Sequence, residues 1–206
     1  MAKRSFVYRN IFIYRLVMNL LYLGKYKERF EPVIGYLKTL PAGSRVLELC
    51  FGDIYVADFC KRRGHAWTGL DINVDFIKTA TRMGFDAREA DVTNVKALPS
   101  ADVSVMMGSL YHFHPETGTI LARMFDASPT VVISEPVSNL SAQGGLIGLL
   151  ARKGANAGKG HETFRYDRTS FLAMLEAHQK RIGYRIADTR DHGKDLIVKL
   201  EKNENR

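Results

Sequence analysis

Three carboxylates stand at or just after the ends of short apolar runs: Glu48, Asp71 and Asp91. In a parallel sheet, the carboxyl ends of neighbouring strands open into one crevice, so the three acids would face a common ligand. Three like charges repel a pyrophosphate but suit a ligand with hydroxyl and cationic groups. A carboxylate at Asp71 could accept hydrogen bonds from both hydroxyls of a ribose. The spacing therefore predicts a site for a nucleoside-containing cofactor.

The first of these acids opens a loop with an unusual order of residues. Glu48, Cys50, Gly52 and Ile54 follow one another at two-residue intervals. A glycine-rich turn between a strand and a helix lets backbone N–H groups approach a ligand closely, but this spacing is not the dinucleotide-binding G-x-G-x-x-G pattern. Cys50 must either avoid a positive φ or adopt one at some cost.

The elements that would position these residues alternate along the chain. Five short β-branched or apolar runs are predicted as strands: 45–49, 66–70, 86–90, 102–107 and 130–134. Helical stretches separate them, which predicts an α/β fold with a parallel sheet. Asp53 is predicted as one helix N-cap and Asn73 as the next, and Cys60 as a small core residue. Near the C-terminus, two strand-like runs joined by His192-Gly193 predict an antiparallel hairpin at one sheet edge.

The chain on either side of the sheet is organised differently. Two helices, about 7–22 and 25–39, are predicted before the first strand, so residues 1–44 form a helical cap and residues 45–206 the main domain. Residues 140–166 are rich in glycine and basic, which predicts an insertion on the substrate side. A helix is predicted over about 169–181.

The composition of the chain limits the kinds of protein to which it can belong. With 206 residues and 46% hydrophobic content, the chain fits one domain with a sizeable core. Its only cysteines, Cys50 and Cys60, form neither a disulfide framework nor a zinc-ligand spacing, which predicts a reduced, cytoplasmic protein without a structural metal. The apolar stretch 11–23 is interrupted by Arg15 and Asn19, so neither a spanning helix nor a signal peptide is expected.

The net charge of +8 is spread unevenly. Residues 46–140 contain 8 Lys and Arg against 12 Asp and Glu, so the middle of the chain is acidic and its flanks are basic. This distribution is typical of a protein that meets an anionic substrate, surface or nucleic acid through its flanks. Basic residues that merely solvate exposed helices would explain it equally well.

At this point the chain resembles the class I S-adenosylmethionine-dependent methyltransferases. The family's glycine-rich motif after the first strand is met by "VLELCFGDI", its ribose acid by "LDI", its adenine-contacting acid by "ADV", and its fourth-strand motif by "ADVSVMMGSLYHF". The four motifs occur in order between residues 45 and 136. The resemblance implies a Rossmann-like, doubly wound and mostly parallel seven-stranded sheet, with N-terminal helices and a reversed C-terminal strand.

The resemblance also implies the residues that bind the cofactor, S-adenosyl-L-methionine. Gly52 is expected where the backbone lies against the methionine moiety, and Asp71 at the ribose. The full set is Glu48, Cys50, Gly52, Asp71, Ile72, Asp91, Val92 and Met107. No metal is expected, and Cys50 is a poor candidate for a nucleophile because no base stands beside it in sequence.

His112 and Glu135 are the candidate catalytic residues. His112 follows the fourth strand on the crevice side, where it could act as a base or orient the acceptor, although it could equally pack on the next helix. Glu135 ends the fifth strand and could face the acceptor or serve as a structural acid. Four residues of the insertion could form a lid over the substrate, namely His161, Glu162, Arg165 and Tyr166.

The acceptor is expected to be a small molecule or a glycan or lipid headgroup, and an anionic acceptor would suit the basic flanks. The fourth strand lacks the Asn/Asp-Pro-Pro-aromatic motif of enzymes that methylate base amino groups, which disfavours nucleic acid. Two alternatives stay open: a catalytically inactive cofactor-binding adaptor at a membrane or partner surface, and an RNA methyltransferase. The N-terminal helices alternate aromatic and basic residues, which predicts either a cover over the acceptor site or a peripheral membrane contact.

Overall fold

The computed structural model describes residues 11–137 and 164–203. Its helices are α1 (Ile11–Leu21), α2 (Glu31–Leu37), α3 (Tyr55–Arg63), α4 (Val74–Arg82), α5 (Thr117–Ala127) and α6 (Arg168–Ile182). Its strands are β1 (Arg45–Leu49), β2 (Ala66–Asp71), β3 (Asp86–Glu89), β4 (Val103–Met107), β5 (Thr130–Pro136), β6 (Tyr184–His192) and β7 (Asp195–Lys202). Short 3-10 helices cover Glu28–Phe30 and Leu110–Phe113.

The strands form one seven-stranded sheet in the order β3-β2-β1-β4-β5-β7-β6. The first five strands are parallel, and β7 enters antiparallel between β5 and β6. The predicted fold class and the C-terminal hairpin are therefore confirmed. The order in which strands are added reverses between β1 and β4: β2 and β3 lie on one side of β1, and β4 and β5 on the other. Open α/β sheets bind ligands in the crevice at such a point.

Each side of the sheet is covered by its own hydrophobic cluster, because successive residues of a strand point to opposite faces. On β4, Val105 faces α2, α3 and α4, whereas Met106 faces α5 and α6. Ile11 of α1 and Val33 of α2 lie in the same cluster as Val105. The N-terminal segment thus shares a core with the sheet. Among the described residues, no helix is long and apolar enough to cross a membrane.

Two local predictions are corrected. Asp53 does not cap α3: the helix begins at Tyr55, and the N-cap position is Ile54, with no side-chain cap. The Asp53 carboxylate instead accepts hydrogen bonds from Arg15 of α1. The predicted helix over 25–39 is broken into a 3-10 turn and α2, because Pro32 in the first turn of α2 lacks the N–H that a longer helix would need.

The other helix boundaries follow the sequence. The Asn73 side chain caps α4 by accepting a hydrogen bond from the backbone N–H of Asp75 at 3.0 Å. Gly64 ends α3 in the left-handed region at φ +71°, and Cys60 is fully buried within that helix. The described part of the predicted first helix is α1. Residues 1–10 lie outside the described chain.

Candidate cofactor and acceptor site

The loop after β1 carries two left-handed residues. Cys50 has φ +55° and Gly52 has φ +56°. The backbone N–H of Cys50 donates to the carbonyl oxygen of Leu70 at 2.7 Å, so the loop continues the pairing of β1 with β2 before it turns. A left-handed conformation costs a residue with a side chain about 1 kcal/mol. Cys50 therefore adopts the positive φ that glycine would allow without strain.

Asp71 ties the end of β2 to this loop. Its carboxylate is buried, and Oδ1 accepts the backbone N–H of Asn73 at 2.7 Å. The other oxygen, Oδ2, lies 3.4 Å from the backbone nitrogen of Gly52, at the long end of hydrogen bonding. The predicted loop and the predicted ribose acid are thus brought into direct contact.

Glu48 lies deeper than the loop that it precedes. Its side chain is fully buried, and Oε2 accepts the indole N–H of Trp67 at 2.9 Å. Burial, followed by the nearby Asp53 and Asp71 carboxylates, raises the pKa of Glu48 well above its usual value. Its Oε1 has no hydrogen-bond partner among the described residues. Burial of Glu48 beneath the loop therefore favours the neutral form of its carboxyl group.

Asp91 follows β3 and is engaged in a local turn. Its Oδ1 accepts the Thr93 hydroxyl at 2.7 Å, and Oδ2 accepts the Asn94 side-chain amide at 2.8 Å. Burial, and then the Asp71 and Asp91 charges, raise the pKa of the Cys50 thiol well above its usual value. Cys50 therefore stays protonated, which disfavours a role as a nucleophile. Cys50 is close enough to both carboxylates to be affected by their charges, so the loop after β1 and the two strand-end acids surround one crevice.

Three apolar residues of the predicted cofactor site lie around the same sheet edge. Val92 is buried in the cluster on the α5 side, and Met107 is buried at the end of β4 on the opposite side. Ile72, directly after Asp71, is half-buried. The structure thus places one apolar residue at or after the end of each of the strands β2, β3 and β4.

Helix α1 covers the loop, and the site prediction did not include its residues. A Cβ atom on Gly52 would lie 3.1 Å from the Tyr14 hydroxyl oxygen. Arg15 grips Asp53, with its Nη2 2.7 Å from Oδ1 and its Nε 3.0 Å from Oδ2. The signal in the sequence was the alternation of aromatic and basic residues before β1. It predicted a cover, but not which residues meet the loop.

Arg29 lies on the other side of the crevice and was also missed. Its Nε donates to Oδ2 of Asp195, the first residue of β7, at 3.1 Å, and both side chains are buried. A Cβ atom on Gly108, directly after β4, would lie 2.8 Å from the other end of the guanidinium. That end, Nη2, is buried and has no hydrogen-bond partner among the described residues. A buried guanidinium nitrogen of this kind is available to a ligand oxygen.

Glu135 lies near Arg29 at the end of β5. Its Oε2 accepts the backbone N–H of Leu110 at 3.1 Å, which fixes the 3-10 turn after β4. Burial raises the pKa of Glu135 to about 8, and this exceeds the opposing effect of the backbone hydrogen bond from Leu110. Its Oε1 is buried without a partner among the described residues. Glu135 is thus poised to exchange a proton near neutral pH.

His112 lies in that 3-10 turn. Burial, and then the charge of Arg165, lower the pKa of His112 to about 4, so the imidazole is neutral at pH 7. Its ring lies 4.0 Å from the Tyr111 ring, and the Arg165 guanidinium lies 3.9 Å above Tyr111. The predicted pair of catalytic residues is therefore linked through one turn, since Glu135 binds the turn that carries His112.

The insertion is described only in part. Arg165 and Tyr166 belong to the described chain, and the Tyr166 hydroxyl lies 2.9 Å from that of Thr117 at the start of α5. This contact anchors the chain where it enters α6. His161 and Glu162 lie outside the described residues.

The crevice has two halves of different charge. The β1–β3 half presents the buried carboxylates of Glu48 and Asp71, with Asp91 at its rim. The β4, β5 and β7 half presents Arg29, Arg165 and Lys194 against Asp195 and Glu135. Because Glu135 is largely protonated at pH 7, cations outnumber anions in this second half. The geometry suits a cofactor with hydroxyl and cationic groups beside an acceptor with an anionic group.

Known proteins are similar to this chain in structure. No family model and no curated protein sequence matches the chain. Solved structures do match. Magnesium protoporphyrin IX methyltransferase from Synechocystis PCC 6803 with bound SAH is 13% identical to this chain. The match covers 91% of this chain and 86% of the methyltransferase, with a TM-score of 0.63. An S-adenosylmethionine-dependent methyltransferase from Mesorhizobium loti is 19% identical over 84% and 98% of the two chains, with a TM-score of 0.61.

An rRNA methylase from Escherichia coli is also similar, at 16% identity over 87% of this chain and 65% of its own, with a TM-score of 0.58. At these identities the likeness concerns the fold. The chain has the Rossmann-like fold of class I S-adenosylmethionine-dependent methyltransferases.

Proposed function

We propose that the protein is an S-adenosylmethionine-dependent methyltransferase that acts on a small-molecule or headgroup acceptor with an anionic group. One observation carries the proposal: the buried Asp71 carboxylate at the end of β2 lies against the backbone of Gly52, in the left-handed loop after β1. This arrangement combines a carboxylate for ribose hydroxyls with a glycine backbone that has no side chain to block a close approach. The neighbouring methyltransferase structures support it.

In this proposal the β1–β3 half holds the cofactor. Asp71 and Ile72 would bind the ribose, and Asp91 and Val92 the adenine. The backbone from Cys50 to Gly52 would hold the methionine moiety, with Glu48 beneath it and Met107 at the end of β4. The Asp71 and Asp91 carboxylates on this side complement the positive charge that the cofactor carries. The cofactor would supply a methyl group on its positively charged sulfur, which is already activated for displacement.

The β4, β5 and β7 half would hold the acceptor. Arg29 Nη2 would bind its anionic oxygen, because this nitrogen is buried beside Gly108 and lacks a partner among the described residues. The ionised form of Glu135, whose share rises as the pH approaches its pKa of about 8, would take up a proton from an oxygen acceptor, and the neutral His112 would orient the acceptor or share that task. The protein's own contribution is mainly alignment of the acceptor.

The cofactor assignment is tested by calorimetry with S-adenosylhomocysteine. We expect Asp71→Ala to weaken binding by at least about tenfold, which corresponds to about 1.4 kcal/mol. The matched control is Asp75→Ala, because Asp75 is an exposed acid four residues further along, in the first turn of α4. Asp75→Ala should bind as the wild type does. Equal binding by wild type and Asp71→Ala would refute the assignment.

Activity is tested separately with radiolabelled S-adenosylmethionine. The acceptor panel should contain neutral and carboxylated phenols, sugar phosphates, lipid headgroups and RNA. Turnover of carboxylated or phosphorylated small molecules supports the proposal. Turnover of RNA alone would favour the alternative of an RNA methyltransferase. Cofactor binding without turnover of any acceptor would favour an inactive adaptor.

A further inference from the structure

Helix α1 and the turn after it expose a row of large apolar side chains. Among the described residues, five large hydrophobic side chains are exposed, and four of them belong to this segment. Leu16 is 63% exposed, Leu20 60% and Leu23 71%, and Phe12 lies one turn before Leu16. Spacings of four residues place Phe12, Leu16 and Leu20 on one face of α1, and Leu23 follows in the turn after the helix. Soluble domains seldom expose such a row without a binding partner for it.

The opposite face of α1 is held against the protein, which fixes the direction of the exposed row. Arg15 binds Asp53, and Ile11 is buried in the core beside the sheet. At the C-terminal end of the helix, the Tyr22 hydroxyl donates to Asp195 at 2.9 Å, and Lys194 donates to the carbonyl oxygen of Leu21 at 3.2 Å. A rotation that buried Leu16 and Leu20 would break these contacts.

The sequence of this segment is basic up to Lys27, and the exposed acid Glu28 follows it. The first 27 residues of the chain contain six Lys and Arg and no Asp or Glu. Lys25 and Lys27, just beyond the exposed row, are both exposed. These cations favour an anionic partner for this face.

We infer that α1 docks the protein on an anionic lipid surface, with Leu16, Leu20 and Leu23 entering the interface between headgroups and acyl chains. An apolar row flanked by lysines and arginines matches such an interface in both respects. A nucleic acid would satisfy the cations but would offer no apolar surface to the leucines. The inference concerns binding and stands independently of methyl transfer.

The experiment is co-sedimentation of the full chain with vesicles. One set contains phosphatidylcholine alone, and the other contains phosphatidylcholine and phosphatidylglycerol in equal parts. We expect the wild type to bind the anionic vesicles and the double variant Leu16→Glu, Leu20→Glu to bind at least about tenfold more weakly, because two charges would enter the apolar region. Both positions are exposed, so the fold should persist, which circular dichroism checks.

The matched control is Met83→Glu. Among the described residues, Met83 is the remaining exposed large hydrophobic residue, and it lies at the end of α4, outside the row. The Met83→Glu variant should bind the anionic vesicles as the wild type does. At an ionic strength of about 1 M, where the screening length is about 3 Å, wild-type binding should fall towards that seen with phosphatidylcholine alone.

Two results would overturn the inference. The first is a wild type that fails to sediment with anionic vesicles, or a double variant that sediments equally well. The second is a wild type that is dimeric by light scattering and becomes monomeric in the double variant. That result would assign the row to a second copy of the chain.

Discussion

At the scale of single residues, the loop after β1 keeps its left-handed turn although Cys50 and Ile54 stand where the glycine-rich motif has glycine. Cys50 takes φ +55° and bears the cost of a side chain in that conformation, whereas Gly52 remains where a Cβ atom would lie 3.1 Å from the Tyr14 hydroxyl oxygen. Ile54 has φ −98°, so a side chain is tolerated there without strain. The glycine is therefore retained at the position where a side chain would be both strained and crowded.

Glu135 allows a test at neutral and alkaline pH. Its pKa is raised from 4.5 to about 8, so the folded state favours the protonated carboxyl. The stabilisation is complete below the ordinary pKa and is lost as the pH rises to about 8. Glu135→Gln keeps an acceptor for Leu110 and does not ionise. We expect the variant to exceed the wild type in free energy of unfolding by about 5 kcal/mol at pH 9 and to match it near pH 4.

Urea unfolding at both pH values measures this difference. A constant offset between the two proteins across the pH range would show that Glu135 titrates normally. Glu48 is buried with a raised pKa in both proteins, so its contribution cancels in the comparison.

At the scale of elements, the structure places α1 directly on the loop after β1. Gly52→Ala tests that contact, because the new Cβ atom would lie 3.1 Å from the Tyr14 hydroxyl oxygen, and φ is +56°. The matched control is Gly64→Ala, at φ +71° with nothing within 4 Å. We expect Gly64→Ala to cost about 1 kcal/mol through backbone strain alone, and Gly52→Ala to cost about 1 kcal/mol more.

Urea unfolding gives both free energies, and hydrogen exchange in 11–21 should quicken only in Gly52→Ala. Adding Tyr14→Phe to Gly52→Ala removes the obstructing oxygen and should recover part of the extra loss. Equal losses at Gly52 and Gly64 would contradict the placement of α1.

At the scale of the whole molecule, the buried pair of Arg29 and Asp195 joins the N-terminal segment to the last hairpin. Asp195→Asn would leave the Arg29 charge buried without its counter-ion, and we expect a loss of about 3 kcal/mol in the free energy of unfolding. The control is Asp191→Asn, because the pair of Asp191 and Arg168 is exposed. That variant should change stability by less than about 0.5 kcal/mol.

Thermal and urea unfolding should agree on this order. A small effect of Asp195→Asn would mean that water reaches Arg29 and compensates its charge. Such a result would also weaken the case for Arg29 as an anion-binding residue, since that role depends on its burial.

The sequence by itself determined the class of fold and the order of its elements. Strands such as 45–49 and 66–70 are short, apolar and bounded by turn residues, and these signals are local. The acids at 48, 71 and 91 could be assigned to one sheet edge, because parallel strands must end together. The Asp53 cap failed for the opposite reason: its carboxylate is engaged by Arg15, which is 38 residues away in the chain.

Only the tertiary structure decided which side chains meet in the crevice. Tyr14 on Gly52, Arg29 with Asp195, and Glu135 on the turn that carries His112 all join residues far apart in the chain. No local pattern encodes such contacts, because they depend on how helices pack across strand ends. The burial that raises the pKa of Glu135 and lowers that of His112 has the same origin. Short-range spacing therefore predicted the β1–β3 half of the crevice, whereas long-range packing created the β4, β5 and β7 half.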